Sequence, residues 1–212
     1  MIPTNCSLYK DAHETAGRAG VPAAFRSIGA ATTFLPAEVF GSHLDGFLFG
    51  GNRVATVLGR IQSGKTCVLS MLMMRCILLN RIFENMRGVR RPNRFSFVSN
   101  GQLFRSLRSV GEEGNYAARL LYDIENLAID NVDKVEPSVR SLIREIIVYR
   151  TDHGRNTLLS VTEAATLRDF DPQVRRRIED GRQIKLGSTA LTGVHAGLAL
   201  PAAFSSMIAT TT

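Results

Sequence analysis

The chain has 212 residues, 44% of them hydrophobic, which suits one domain with flanking extensions. Its formal net charge is +7 and only four of its 26 basic residues are lysine; arginine pairs well with phosphate, so an anionic partner is expected, nucleic acid first. Three cysteines (Cys6, Cys67, Cys76) and four scattered histidines show no metal-ligand spacing, and no basic stretch followed by an apolar core opens the chain, so the composition argues for a reducing cytoplasm and against a secreted or metal-cluster protein.

Residues 1–45 carry turn formers (Gly17, Gly20, Pro22, Gly29, Pro36) and read as an approach segment. From 46 to 186, strand-like and helix-like stretches alternate, the pattern of an α/β domain with a parallel sheet and helices on both faces. Val54–Leu58 is an apolar run suited to a buried strand. It leads into Gly59-Arg60-Ile61-Gln62-Ser63-Gly64-Lys65-Thr66, which fits G-x-x-x-x-G-K-[ST]. Each fixed residue has a physical task. The glycines let backbone N–H groups curl around phosphate oxygens, Lys65 reaches the β- and γ-phosphates, and the Thr66 hydroxyl sits on Mg²⁺. With Cys67 in the first turn of the following helix, whose N-terminus favours anions, the loop makes ATP and Mg²⁺ the expected ligands.

The helix after the loop carries Val68, Leu69, Met71, Leu72, Met73, Met74, Ile77, Leu78 and Leu79, a stripe read as core. A basic loop (Arg87, Arg90, Arg91, Arg94) precedes a strand at Phe95–Val98, and Asn100 is placed to cap a helix bearing Leu103, Phe104 and Leu107. A helix near Tyr116–Tyr122, a strand Leu127–Asp130, an amphipathic helix Pro137–Tyr149 and a strand Thr157–Val161 follow. A short basic helix, Asp171–Asp180, and a last strand, Gln183–Leu186, complete the series. Residues 187–212 contain no charged side chain; glycines, Pro201 and hydroxyl residues weaken any spanning helix there, so a flexible tail and no membrane contact are expected.

A phosphate-binding loop needs an acid at the end of a neighbouring strand to hold Mg²⁺, and Asp130 meets that need. Hydrolysis further needs a carboxylate that orients water. Asn131 follows Asp130 and cannot accept a proton; Asp133 and Glu163 are alternatives.

Taken in order, the motifs resemble the DnaC/IstB group of AAA+ ATPases, replicative helicase loaders and transposition helpers. Ala19-Gly20-Val21-Pro22-Ala23-Ala24-Phe25-Arg26 is similar to that group's A-G-I-P-x-x-[FY]-R lead-in. The P-loop, the Phe97–Leu107 strand and helix, and the Walker B strand Leu127–Asp130 follow, then Thr157–Thr162 where sensor 1 lies, and Asp171–Ile178 where the family has D-x-R-[IV]-x-S-R-L. The resemblance implies a P-loop NTPase three-layer sandwich of the AAA+ (ASCE) type. It implies Asp130 as the Walker B acid, Thr162 at the sensor position, and Arg177 acting on a neighbour's γ-phosphate in an ATP-bound homo-oligomer. Its partners would be DNA and a replicative helicase or transposase.

Four positions depart from the family pattern. Asn131 stands for the usual acid, Thr162 for asparagine, Arg176 for serine and Gln173 for arginine. These changes bear on water activation, while phosphate cradling by the backbone and Lys65 is intact, so binding without hydrolysis is the alternative. A small-molecule P-loop kinase is a weaker one, because no acceptor-site pattern accompanies the arginine loop. For DNA the candidates are Arg87, Arg90, Arg91, Arg94, Arg175 and Arg176. Aromatic interleaving is sparse, so contact would be phosphate-led.

Overall fold

A computed structural model describes residues 7–26, 53–88, 95–99, 101, 119–134, 137–162 and 164–186. Five strands, β1 (Val54–Leu58), β2 (Phe95–Ser99), β3 (Asn126–Asp130), β4 (Asn156–Val161) and β5 (Arg182–Lys185), form one sheet in the order β2-β3-β4-β1-β5. Every pairing is parallel. The three inner strands β3, β4 and β1 are buried along their whole length, as expected of strands covered on both faces. Edge strand β5 has the sequence Arg-Gln-Ile-Lys and is exposed at both ends, charges that suit an edge.

Side-chain alternation splits each inner strand between two cores. Ala55, Val57, Ala128 and Leu158 face helix α2 (Lys65–Arg87), where Leu69, Met73, Met74 and Ile77 are fully or nearly fully buried. Val54, Leu58, Leu127, Ile129, Leu159 and Val161 face α3 (Pro137–Asp152) and α4 (Pro172–Asp180). The apolar face read from the α3 sequence supplies Val139, Ile143, Ile146 and Ile147 to this second core. Asp171 is not the first residue of α4 but its N-cap: its side chain accepts a 2.9 Å hydrogen bond from Gln173 N–H, with Pro172 in the first turn.

Residues 7–26 hold a helix, α1 (Ser7–Ala19), that the turn formers concealed. Ala12, Ala16, Ala19 and Val21 join the α2 core, and Arg81 of α2 binds Asp11, Thr15 and Glu84 at 3.3, 2.9 and 2.6 Å. The helix stops at Gly20, whose φ of +89° disfavours other residues. A Cβ there would lie 2.7 Å from the Phe97 carbonyl oxygen, so this glycine allows the lead-in to sit against β2.

Arg87 is the last residue of α2, closed by Gly88 at φ +63°, and so belongs to the helix. Arg90, Arg91, Arg94, the stretch from Asn100 to Leu107 (Gly101 apart, which is helical), Glu163 and residues 187–212 lie outside the described residues. Of the helix expected near Tyr116–Tyr122, residues 119–123 are described and helical.

Arg150, near the end of α3, has no exposed surface and is the bulkiest fully buried side chain among the described residues. Its guanidinium donates to the carbonyl oxygens of Leu121, Ile124 and Asn156 at 2.6–2.7 Å and to Thr157 Oγ1 at 3.0 Å. Burial pulls its pKa down to about 9, so at neutral pH it is a cation holding together the starts of β3 and β4.

Candidate nucleotide-binding site

The P-loop joins the C-terminal end of β1 to α2. Gly59 N–H donates to Val161 O at 3.2 Å, tying the loop to the end of β4. Gln62 (φ +64°) and Gly64 (φ +88°) turn the chain through left-handed conformations. A Cβ on Gly59 would collide with Ser63 Oγ, so the curl depends on that glycine. The first intrahelical bond of α2 runs from Val68 N–H to Gly64 O at 3.0 Å, so the N–H groups of the preceding turn lie outside the helical ladder.

The Lys65 ammonium is buried, 5% exposed, and donates 2.7 Å bonds to the carbonyl oxygens of Gly59 and Arg60. The loop thus folds around its own cation. Ser63 Oγ is buried inside the curl with no hydrogen-bond partner among the described residues. Arg60, Ile61 and Gln62 form the exposed tip, with Ile61 64% exposed. Cys67 faces inward: its sulfur lies 3.8 Å from Met71 Sδ, and burial pushes its thiol up to about 11. Its part in the loop is therefore limited to its backbone.

Asp130 lies at the C-terminal end of β3, on the α2 side of the sheet, and is 4% exposed. Thr66 Oγ1 donates to its Oδ2 at 2.7 Å, and Ser160 Oγ donates to its Oδ1. Ser160 in turn accepts the Asn131 N–H at 2.8 Å, holding Asn131 in a left-handed turn at φ +55°. The structure therefore brings together Gly59–Thr66 and Asp130. Thr162 follows the last residue of β4 at the same edge of the sheet, its Oγ1 buried and without a partner among the described residues. Asp133, in the turn after Asn131, also has a buried carboxylate oxygen without a partner among the described residues.

Arg177 is not part of this cluster. Its Nη2 donates to Asp152 Oδ1 at 2.7 Å, at the C-terminus of α3, the end that feeds the start of β4. Arg175 and Arg176 pair with Glu179 and Asp180 at 3.8 and 3.5 Å along exposed α4. Sequence reasoning missed Ser160. Its signal was the strand period: residue 160 shares a face with Leu158, which packs against α2.

The residues fit a triphosphate and a divalent cation. The cradle is closed to a Cβ, an orphaned hydroxyl and a buried ammonium line it, and a Thr–Asp pair of hard oxygen ligands suits Mg²⁺.

No family model matches the chain, and no curated protein matches it. Among solved structures it is similar to domain III of the replication initiation protein DnaA from Thermotoga maritima, with 16% identity, 71% of this chain and 62% of that one covered, and a TM-score of 0.53. It is likewise similar to a DNA replication initiation factor, with 13% identity, 73% and 48% covered, and a TM-score of 0.54. The fold is that of the AAA+ P-loop NTPases. The five-stranded parallel sheet with its covering helices is the shared frame. This chain spans about three-fifths and about half the length of those two chains. No described helix is long and apolar enough to cross a membrane.

Proposed function

We propose that this chain binds ATP with Mg²⁺ at Gly59–Thr66 and Asp130. In this reading it resembles DnaC/IstB proteins in using ATP-dependent self-assembly to load or recruit a DNA-processing partner, a replicative helicase or a transposase, onto DNA in the cytoplasm. The observation that carries the reading is the meeting of Lys65, Thr66 and Asp130 at one edge of the sheet, with Thr66 and Asp130 in a direct 2.7 Å hydrogen bond. Lys65 would exchange the Gly59 and Arg60 carbonyls for phosphate oxygens, and the N–H groups of the loop would supply the remaining donors. Thr66 and Asp130 would hold the cation, which when bound neutralises phosphate charge. The replication-initiation proteins among the structural neighbours support the DNA-replication setting. DNA contact would be phosphate-led, with Arg175 and Arg176 released from exposed pairs that are individually weak.

A second reading, holding ATP without splitting it, is favoured by Asn131: it has no carboxylate, and its backbone is tied to Ser160. Titration calorimetry with ATP tests the first step. The unsubstituted chain is expected to bind in the micromolar range or tighter and Lys65→Ala to lose at least tenfold, since hydrogen bonds to charged groups contribute about 1.5–3 kcal/mol. Equal affinities would sink the proposal. Turnover abolished by Asp130→Ala would then exclude the second reading.

A further inference from the structure

Ser160 carries a second layer of this site. Strand register puts it there: Ile129 pairs with Leu159, so the next pair along β3 and β4 is Asp130 and Ser160, both on the α2 face. On its other side Ser160 lies opposite Val57 of β1, the strand that launches the P-loop. The residue has no exposed surface, and its hydroxyl both accepts and donates a hydrogen bond. It accepts from Asn131 N–H, so its one proton is directed to Asp130 Oδ1. With Oδ1 held by Ser160, Oδ2 is the oxygen turned to Thr66. A buried carboxylate without such donors would be costly and free to rotate. The same hydroxyl fixes the left-handed turn at Asn131, a conformation that asparagine tolerates better than most residues.

We infer that Ser160 is a positioning residue for the cation that accompanies ATP, acting through Asp130. The inference rests on the ATP-binding reading above. It predicts a loss confined to the metal-dependent part of nucleotide affinity, because outer-shell partners of metal ligands typically contribute about 10–100-fold to metal affinity. A purely structural serine would lower affinity with and without metal alike.

The experiment is calorimetric titration of the full chain with ATP in Mg²⁺ and in EDTA. Ser160→Ala is expected to lose about tenfold or more of the gain that Mg²⁺ gives, with the EDTA affinity unchanged. Ser160→Thr, which keeps the hydroxyl on a residue at home in a strand, is expected to restore the gain. If Ser160→Ala does not fold, Ser160→Cys, near in size and a weak donor, replaces it with the same expectation. A full Mg²⁺ gain in the variant lacking the hydroxyl overturns the inference while leaving ATP binding standing. An equal fall in both conditions, unrestored by threonine, overturns it as well. No binding by the unsubstituted chain overturns the ATP reading and this inference with it.

Discussion

Thr66 and Asp130, 64 residues apart in sequence, are joined by a 2.7 Å hydrogen bond from the threonine hydroxyl to carboxylate Oδ2. The bond ties the first turn of α2 to the end of β3, so the two halves of the proposed cation site are in place before any ligand arrives. Removing the hydroxyl leaves a buried carboxylate oxygen without its donor, which costs about 1–3 kcal/mol. Thr66→Ala is therefore expected to lower unfolding free energy in urea by that amount and to remove the response of ATP affinity to Mg²⁺, with Thr66→Ser recovering both. Unchanged stability in the alanine variant would show that the bond contributes nothing net.

Gly20 ends α1 at φ +89° with its α-carbon close against β2. Alanine must accept a left-handed backbone and also clear the Phe97 carbonyl, 2.7 Å from the new Cβ. Strain of that kind costs about 1–3 kcal/mol, and here the partner is backbone and cannot swing aside. Gly20→Ala is expected to lower the denaturant midpoint accordingly. Gly88→Ala is the control: it too has positive φ, but among the described residues nothing outside its own turn lies within 4 Å of a Cβ there, so its cost should be the smaller.

How far the fold could be read from the chain follows from where each signal resides. The inner strands announced themselves because burial on both faces demands apolar runs such as Val54–Leu58 and Leu127–Ile129. The P-loop was legible because its chemistry is local, eight residues in a row. Helix α1 was not, because its described core contacts are made by Ala12, Ala16 and Ala19, small residues with little hydrophobic signal, among glycines that suggest turns. Ser160 and Arg150 were hidden for another reason. Ser160 matters only through the pairing of β3 with β4, and Arg150 looks like a basic last-turn residue until the carbonyls of Leu121 and Ile124 close around it. Neither is visible without three-dimensional register.

Cys67 and Cys76 are buried neutral thiols, pushed up to about 11 and about 12 by loss of water. Relative to the ordinary value of 9.0, two units leave Cys67 about a hundredfold less thiolate at pH 8. Iodoacetamide labelling followed by mass spectrometry should find it at least that much slower than a cysteine peptide. A thiol whose folded pKa is raised stabilises fully below pH 9 and loses that contribution as pH rises through about 11–12. Cys76→Ser is expected to remove this component of the alkaline loss of stability, read as urea midpoints from pH 8 to 11. Fast labelling of either thiol in the folded chain would contradict the packing.

Arg177 poses the sharpest question about assembly. Within the chain it pairs with Asp152 at 2.7 Å, and its side chain is 23% exposed against 53% for the acid. A pair this open is typically worth no more than about 1 kcal/mol, so it does not prevent Arg177 from turning to a second chain. If Arg177 completes a neighbour's ATP site, defects in Lys65 and Arg177 should complement one another. Lys65→Ala supplies an intact arginine and Arg177→Ala an intact P-loop, so an equal mixture contains junctions with both. ATP-dependent assembly, followed by analytical ultracentrifugation, is expected to be weak for each variant alone and partly recovered on mixing. Asp152→Asn, which releases Arg177 from its partner, should assemble at lower ATP concentration than the unsubstituted chain. A mixture no better than the sum of its parts would confine Arg177 to its own chain, as the partner of Asp152.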